Sequence, residues 1–289
     1  MPIIETKDLD YIYGVGTSFE KKAVDNVNIS IEKGEFIGLI GHTGSGKSTF
    51  VQMLNGLLKP TNGEILFNGE DIWSNKRKVK DIRFKVGMVF QYPEYQLFEE
   101  SVYKDIEFGP INMGLNKEER NNRVLMAAKF SGVTENILFR SPFEISGGEK
   151  RKVAIAGIIA MNPEVLILDE PTAGLDPLGK KTLLKNICEY HKRVKNTVIF
   201  ISHSMEDIAQ IADKVLVLDR GKAKMFDETH NIFKRDKELL EIGLKIPEVT
   251  RIMKKLYDKG YKVNYDVFTV EDGVNQILNL LKERQIKDV

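Results

Sequence analysis

A single cysteine, Cys188, in a chain of 289 residues leaves no partner for an internal disulfide and too few thiolates for a cysteine-based zinc cluster. A reducing, cytoplasmic setting is the expectation that follows. An excess of either charge is also missing. The 43 Lys plus Arg stand against 42 Asp plus Glu, a net of +1, so no global field recruits nucleic acid or anionic lipid, and no nucleic-acid partner is expected. Long apolar runs are lacking too: the longest, around Val153 to Met161, is far too short to span a bilayer. The start, Met1-Pro2-Ile3-Ile4-Glu5, has neither the basic opening nor the apolar stretch of a secretory signal. These absences argue for a soluble chain and leave peripheral attachment to a membrane protein open. A hydrophobic content of 42% suffices for one large core with a smaller unit appended.

What is present centres on Gly41-His42-Thr43-Gly44-Ser45-Gly46-Lys47-Ser48, preceded by the apolar run Phe36-Ile37-Gly38-Leu39-Ile40 and followed by Thr49-Phe50-Val51-Gln52-Met53-Leu54. Strand, glycine-rich turn and helix in that order are the context a P-loop requires. Glycines let successive backbone N–H groups turn inward on phosphates, and the helix start adds its positive end. Lys47 then reaches the terminal phosphates and Ser48 offers a hydroxyl to Mg²⁺.

Upstream, residues 3 to 13 and 24 to 32 alternate as strands, with Tyr13 closing the first. A ring there could stack on a purine base, although position alone favours an ordinary strand aromatic. Downstream, Lys59 to Gly69 reads as turn, short strand and turn. The run Asn75 to Lys85 carries six basic residues and one acid, and reads as a solvated loop rather than a phospholipid or nucleic-acid patch. Val86 to Phe90 is a buried-strand candidate ending at Gln91, and such strand ends are where ligands sit in α/β sheets. Val102 to Phe108, Lys117 to Ser131 and Glu149 to Ala160 have helical patterns, the last opening on Ser146-Gly147-Gly148. That opening suits an anion, and helix capping alone would also explain Ser146.

Val165-Leu166-Ile167-Leu168 is a strand buried on both faces, tipped by Asp169 and Glu170. Paired acids there are costly unless they act: Asp169 would hold Mg²⁺ and Glu170 would deprotonate an attacking water. Thr197 to Ser202 is a further buried strand, tipped by His203, for which a γ-phosphate role is favoured. His42, outside its place in the P-loop, and His191 and His230 have no comparable neighbours in sequence and receive no role of their own.

With these residues in hand, residues 3 to 235 resemble an ABC-transporter ATP-binding cassette. The motifs come in the family's order: Tyr13 as the aromatic before the cassette, Gly41 to Thr49, Gln91, Ile145-Ser146-Gly147-Gly148-Glu149 as signature, Val165 to Asp169, Glu170 as catalytic acid, Ala173-Gly174-Leu175-Asp176, and His203. The resemblance implies an α/β P-loop NTPase with a helical subdomain at about 95–160 and an antiparallel β subdomain. It implies ATP and Mg²⁺ as cofactors, with Ser48, Gln91 and Asp169 at the metal and Lys47, Gln91, Glu170 and His203 in catalysis. It also implies a head-to-tail dimer, in which the Ser146, Gly147, Gly148 and Asp176 segments of one chain complete the nucleotide site of the other. Two residues depart from the usual Leu-Ser-Gly-Gly-Gln signature. Ile145 conserves size, whereas Glu149 places a carboxylate where an amide is usual, with Lys150 and Arg151 expected to offset its charge.

A narrower resemblance lies in Phe90 to Phe98, Asp105 to Pro110 and Ser202 to Asp207, which are similar to the ATPase subunits of energy-coupling-factor importers. It implies a second ATPase chain, identical or paralogous, a transmembrane coupling protein, a substrate-binding membrane component, and a place on the cytoplasmic face of the cell membrane. Cobalt, nickel or vitamin uptake is the implied task, with another ABC importer or an exporter as runner-up. Pro93, Tyr92, Tyr95 and Phe98 read equally as loop packing or as the border of the groove that receives the coupling protein. Residues 236–289 are expected to form a small α-rich domain, with helices over Pro247 to Tyr257 and Val270 to Leu281, serving dimerisation or capping the main sheet. A ribosome- or DNA-acting ABC protein fits less well, because only about 120 residues separate Lys47 from Asp169 with no sustained heptads between. Glu170 and His203 argue against a sensor that binds nucleotide without hydrolysing it.

Overall fold

The structure, a computed structural model, describes residues 1–285. The long strands β1 (Pro2–Tyr13) and β2 (Lys21–Glu32) form a hairpin, and β3 (Phe36–Ile40) leads into α1 (Lys47–Leu54). Then come β4 (Asn62–Phe67), β5 (Glu70–Asp71), α2 (Lys76–Lys85) and β6 (Val86–Val89). Three helices follow, α3 (Val102–Asn112), α4 (Lys117–Ser131) and α5 (Gly147–Ala160), before β7 (Val165–Asp169). The chain continues through α6 (Pro177–Val194), β8 (Thr197–Ile201), α7 (Met205–Ile211), β9 (Lys214–Asp219) and β10 (Lys222–Glu228). It ends on α8 (Thr229–Lys234), α9 (Asp236–Glu241), α10 (Glu248–Asp258) and α11 (Val270–Gln285).

Two sheets carry the site. One is antiparallel, in the order β2-β1-β4-β5; the other runs β10-β9-β3-β8-β7-β6, parallel throughout except for β10. Every residue of β3, β7 and β8 is buried, as their unbroken apolar sequences require. Alternate side chains divide between two cores. Phe36, Leu166, Leu168, Val198 and Phe200 join α3 to α7 on one face. Ile37, Leu39, Val165, Ile167, Ile199 and Ile201 meet α1 and the antiparallel sheet on the other. With both faces of the parallel sheet covered, ligand access is left to the strand ends.

The α/β architecture with an antiparallel subdomain and the helical group α3 to α5 is as expected from the sequence. One local reading is corrected. Asn75 to Lys85 is helical, not a loop: the Asn75 side chain accepts from Lys78 N at 2.9 Å as a cap, and Ile82 is buried. Lysine and arginine are good helix formers, and one apolar stripe is enough to seat such a helix. Sequence patterning also passed over β9 and β10, although Val215-Leu216-Val217-Leu218-Asp219 repeats the apolar-run-then-acid pattern of β7.

Toward the C-terminus, Leu239, Leu244 and Ile246 still belong to the main core. A separate small core forms beyond them from Met253, Val263 and Val267, with Ile277 and Leu280 against it. Thr250 Oγ1 donates to Val267 O at 2.5 Å inside it, and Phe233 meets Phe268 with ring centroids 5.8 Å apart.

Candidate functional site

The parallel strands β9, β3, β8, β7 and β6 lie side by side, and their C-terminal ends deliver Asp219, the Gly41 to Ser48 loop, His203, Asp169 with Glu170, and Gln91 to one edge. There a cleft of about 340 Å³ opens against the antiparallel sheet, lined by Tyr13, Lys47, Ser48, Gln91, Asp169, Glu170 and His203 among others. Thr43, Gly44, Gly46 and Thr49 line it as well. Thus 11 of the sequence-derived candidates meet in one place although they span residues 13 to 203.

Lys47 is buried and its ammonium donates to Gly41 O at 2.7 Å and His42 O at 3.0 Å, which curls the loop around it. Burial pushes its pKa down, against the charges of Glu170 and Asp169. The Ser48 side chain is hydrogen-bonded to Asp169, whose pKa burial raises. Glu170 adopts a left-handed φ of 51°, its N–H donating to Ile201 O at 3.1 Å, so its carboxyl turns into the cleft instead of continuing β7. Desolvation lifts that carboxyl from 4.5 to about 7; the His203 N–H hydrogen bond opposes this, and the charges of Asp169 and Asp207 add to it. His203 Nε2 lies 3.5 Å from Glu170 Oε1, and burial followed by the Lys47 charge lowers the imidazole pKa. Tyr13 donates to or accepts from Thr49 Oγ1 at 3.1 Å and stands edge-on to Tyr11.

Other candidates are placed differently. Gly41, His42 and Ser45 shape the loop from behind, outside the cleft lining. His42, to which no role of its own was given, has two ties: Nε2 is 2.9 Å from Asp219 Oδ1 and Nδ1 is 2.8 Å from Thr43 O. The β9–β10 turn props the loop further, Gly221 N donating to Ser45 O at 2.9 Å. His191 Nδ1 meets Asn196 O at 2.8 Å and His230 lies 3.4 Å from Glu228, so both have local structural partners.

Ser146, Gly147, Gly148 and Asp176 are exposed and do not line the cleft of their own chain. Asp176 caps α6, accepting from Leu178 N and Gly179 N at 3.0 Å each. Ser146 caps α5 in a reciprocal box: its hydroxyl accepts from Glu149 N at 3.3 Å, while Glu149 Oε2 accepts from Ser146 N at 2.8 Å and from its hydroxyl at 2.7 Å. Those bonds hold the Glu149 pKa below its ordinary value, with Arg140 and Lys152 as the nearby cations. The expectation that Lys150 and Arg151 offset Glu149 is therefore corrected; the Lys150 ammonium lies 5.9 Å over the Phe143 ring. Arg151 instead forks onto Glu94, Nη2 to Oε1 at 2.8 Å and Nε to Oε2 at 3.1 Å, and donates to Ala173 O.

Sequence reasoning also missed Lys21 and Ala23, which line the cleft from β2. Their only signal was the position opposite Tyr13, since Tyr13 and Lys21 are register partners. A second concavity, about 370 Å³, lies beside the Gln91 segment and is lined by Arg83, Phe84, Leu97, Phe98, Phe108 and Met161 among others. Tyr95 (84% exposed) and Phe98 (59%) are on the surface, Tyr95 beside Tyr92 with ring centroids 6.4 Å apart and Phe98 edge-on to Phe108 at 5.0 Å, whereas Pro93 is buried. Among the described residues no group of three or more His, Cys, Asp or Glu side chains could hold a metal on its own, and no helix is long and apolar enough to cross a membrane.

This geometry has close counterparts. A family model described as ABC transporter matches residues 24–173. The energy-coupling factor transporter ATP-binding protein EcfA2 of Clostridium acetobutylicum is 52% identical over 283 residues, 98% of this chain and 99% of its own. The like-named protein of Caldanaerobacter subterraneus subsp. tengcongensis is 50% identical over 282 residues, 98% of each chain. Among solved structures, cbiO1 from Clostridium perfringens, part of the ABC transporter complex cbiONQ, superposes with a TM-score of 0.74 at 36% identity, over 88% of this chain and 99% of that one. The dimeric ATP-binding cassette MJ0796 in a post-hydrolysis state, bound to ADP and Pi, gives 0.71 at 27% identity, over 78% and 98%. The chain belongs to the ABC transporter family, as an ATP-binding, ATP-hydrolysing subunit of an energy-coupling factor transporter.

Proposed function

We propose that this subunit drives uptake of a transition-metal ion, cobalt or nickel, or of a vitamin, working on the cytoplasmic face of the membrane. The observation that carries the assignment of roles is the convergence of Lys47, Ser48, Asp169, Glu170, His203 and Gln91 on one cleft. The residues fit Mg²⁺-ATP. Glu170, on the cleft lining, has its Oε1 buried without a hydrogen-bond partner, and Lys47, Ser48 and Asp169 line the same cleft. Ser48, Asp169 and Gln91 would hold the Mg²⁺; a hydroxyl, an amide and a single carboxylate suit an ion that shares its shell with phosphates and water.

When bound, Mg²⁺-ATP supplies the phosphoanhydride bond and neutralises charge on the terminal phosphates. Lys47 adds a second positive charge at that end, and the loop N–H groups bind the phosphates. Tyr13 stacks on the base. Glu170 orients water and accepts its proton, while the neutral His203 imidazole donates to the γ-phosphate and is held in place by its approach to Glu170. Because Ser146, Gly147, Gly148 and Asp176 face solvent, we infer that each cleft is completed by these segments of a second ATPase chain, arranged head to tail. The groove bordered by Phe98 and Phe108 receives helices of a transmembrane coupling protein, whose partner is a substrate-binding membrane component.

The test is co-purification. Tagged Glu170→Gln protein, extracted with ATP from membranes of its own host, is expected to bring down one multi-spanning coupling protein, several small membrane binders and a second ATPase. Recovery of a single permease pair would move the protein to an ordinary importer or an exporter. Ribosomal or DNA-bound proteins without any membrane partner would sink the transport assignment.

We read the C-terminal unit as a further contact between ATPase chains, on the strength of the exposed Leu278 and Leu281 of α11. Because Leu239, Leu244 and Ile246 belong to the main core, the truncation that tests this ends after Ile246, not at residue 235. Sedimentation should show a weaker ATP-dependent dimer; unchanged dimerisation would remove the assignment.

A further inference from the structure

The Asp176 turn and the His203 turn lie on different elements, yet one side chain joins them. Lys180 stands one helical turn into α6, its N–H donating to Asp176 O at 2.9 Å. Its ammonium lies 2.8 Å from Asp207 Oδ2 and 3.4 Å from Ser204 Oγ. Asp207 is buried, its side chain only 7% exposed, and Lys180 is the one cation paired with it among the described residues. Ser204 in turn forms the end of the His203 turn: Ser204 N donates to Ser202 Oγ at 3.0 Å, and Ser204 Oγ accepts from Asp207 N at 3.3 Å to cap α7.

These contacts close a ring. From Glu170 the chain runs through the tight turns Ala173 N to Glu170 O at 3.2 Å and Leu175 N to Thr172 O at 3.2 Å to Asp176. It continues over the first turn of α6 to Lys180, crosses to Ser204 and Asp207, and returns through His203 to Glu170 at 3.5 Å. Without the lysine the ring is open between α6 and α7, and no other ion pair between these two helices is found among the described residues. Lys180 does not line the nucleotide cleft.

We propose that Lys180 is a positioning residue for hydrolysis: by clamping Asp207 and Ser204 it fixes the His203 turn relative to Glu170, and it carries displacements of the Asp176 turn to His203. The inference rests on Glu170 and His203 being the reacting pair. A misplacement of about 1 Å at such a pair is enough to cost on the order of 100-fold in rate. Nucleotide binding is expected to survive, since Lys180 itself lies outside the cleft and makes no contact with Tyr13, Lys47 or the Gly41 to Ser48 loop among the described residues.

The experiment compares steady-state ATPase activity and ATP affinity of the assembled transporter carrying Lys180→Met, Lys180→Arg, Asp207→Asn and the double variant K180M/D207N. Lys180→Met is expected to lower kcat about 10- to 100-fold with KM and ATP Kd within about twofold of wild type, and Lys180→Arg to restore most of it. The methionine variant leaves a buried carboxylate unpaired and is expected to lose stability. The double variant removes that charge and should fold normally, yet remain as slow as either single variant, because both act through one contact. Wild-type turnover in the double variant would overturn the proposal, since the defect would then be the orphaned charge. So would a Lys180→Met protein with unchanged kcat, or one whose loss is wholly in KM. Glu170→Gln and His203→Ala are measured alongside: if they retain turnover, the assignment of the reacting pair fails, and if they lose it while Lys180→Met keeps it, only the clamp fails.

Discussion

Glu170→Gln should lower ATP turnover by about 10³-fold while leaving ATP affinity near wild type, because it removes a proton acceptor without altering shape. The groups that bind phosphate, Lys47 and the Gly41 to Ser48 backbone, are untouched, so the variant accumulates with ATP bound. Loss of binding together with turnover would count against the role given to Glu170. The same variant carries a signature in the nucleotide-free chain. The Glu170 carboxyl titrates near 7 in the folded protein against 4.5 for an ordinary glutamate. Between those values the folded chain holds a proton that the unfolded chain has released, so stability falls as pH rises through that window and the loss is complete above 7. Glutamine does not titrate. The advantage of Glu170→Gln over wild type in unfolding free energy should therefore grow by about 2–3 kcal/mol from pH 4.5 to pH 8. Denaturant unfolding at the two pH values, without nucleotide, reads this directly, and a difference that does not change with pH would contradict the raised pKa.

Gly46→Ala is expected to abolish measurable ATP binding, weakening it by more than about 100-fold, and to destabilise the fold by about 2–4 kcal/mol. Gly46 begins α1 at φ 101°, where a side chain is strained, and a Cβ there would lie 2.3 Å from Ala23 O. That oxygen belongs to β2, paired along its length with β1, so it cannot retreat without disturbing the antiparallel sheet. The loop must open instead, taking Lys47 and Ser48 with it. Gly44→Ala is the control. It has φ 81° but no atom within 4 Å of its Cβ, so it bears conformational strain alone and should lose about 1 kcal/mol. Equal effects of the two substitutions on stability and nucleotide affinity would show that the close approach to β2 is not what fixes the loop.

The Glu149 substitution in the signature illustrates how a local rule can mislead. In sequence, a carboxylate followed by Lys150 and Arg151 reads as a charge with its neighbours as counterions. In the helix, consecutive residues point to different sides. Arg151 turns inward to Glu94 and Ala173 O, tying the segment after Gln91 to the start of α5, and Glu149 turns back on its own N-terminus. A carboxylate is thereby stabilised by a capping hydroxyl and amide, with no ion pair to a cation found among the described residues.

By itself the sequence determined most of the strands, though not β9 and β10, together with the phosphate loop and the order of the acting residues. Those properties are local: unbroken apolar runs make buried parallel strands, glycines make tight turns, and the residues just past each strand carry the chemistry. It also specified Asp169, Glu170, Gln91 and His203 as strand-end residues, because strand length is legible from where the apolar run stops. Only the tertiary structure decided which of these ends are neighbours. The order β9-β3-β8-β7-β6 is a fact about long-range pairing, and it brings Glu170 within 3.5 Å of His203 across 33 positions of chain. The tertiary structure likewise gave His42 its partner on β9, sent Arg151 to Glu94 and linked Lys180 to Asp207, contacts between side chains of ordinary surface type. No periodicity encodes such pairs, since they depend on the packing of elements whose separation in sequence sets no distance in space.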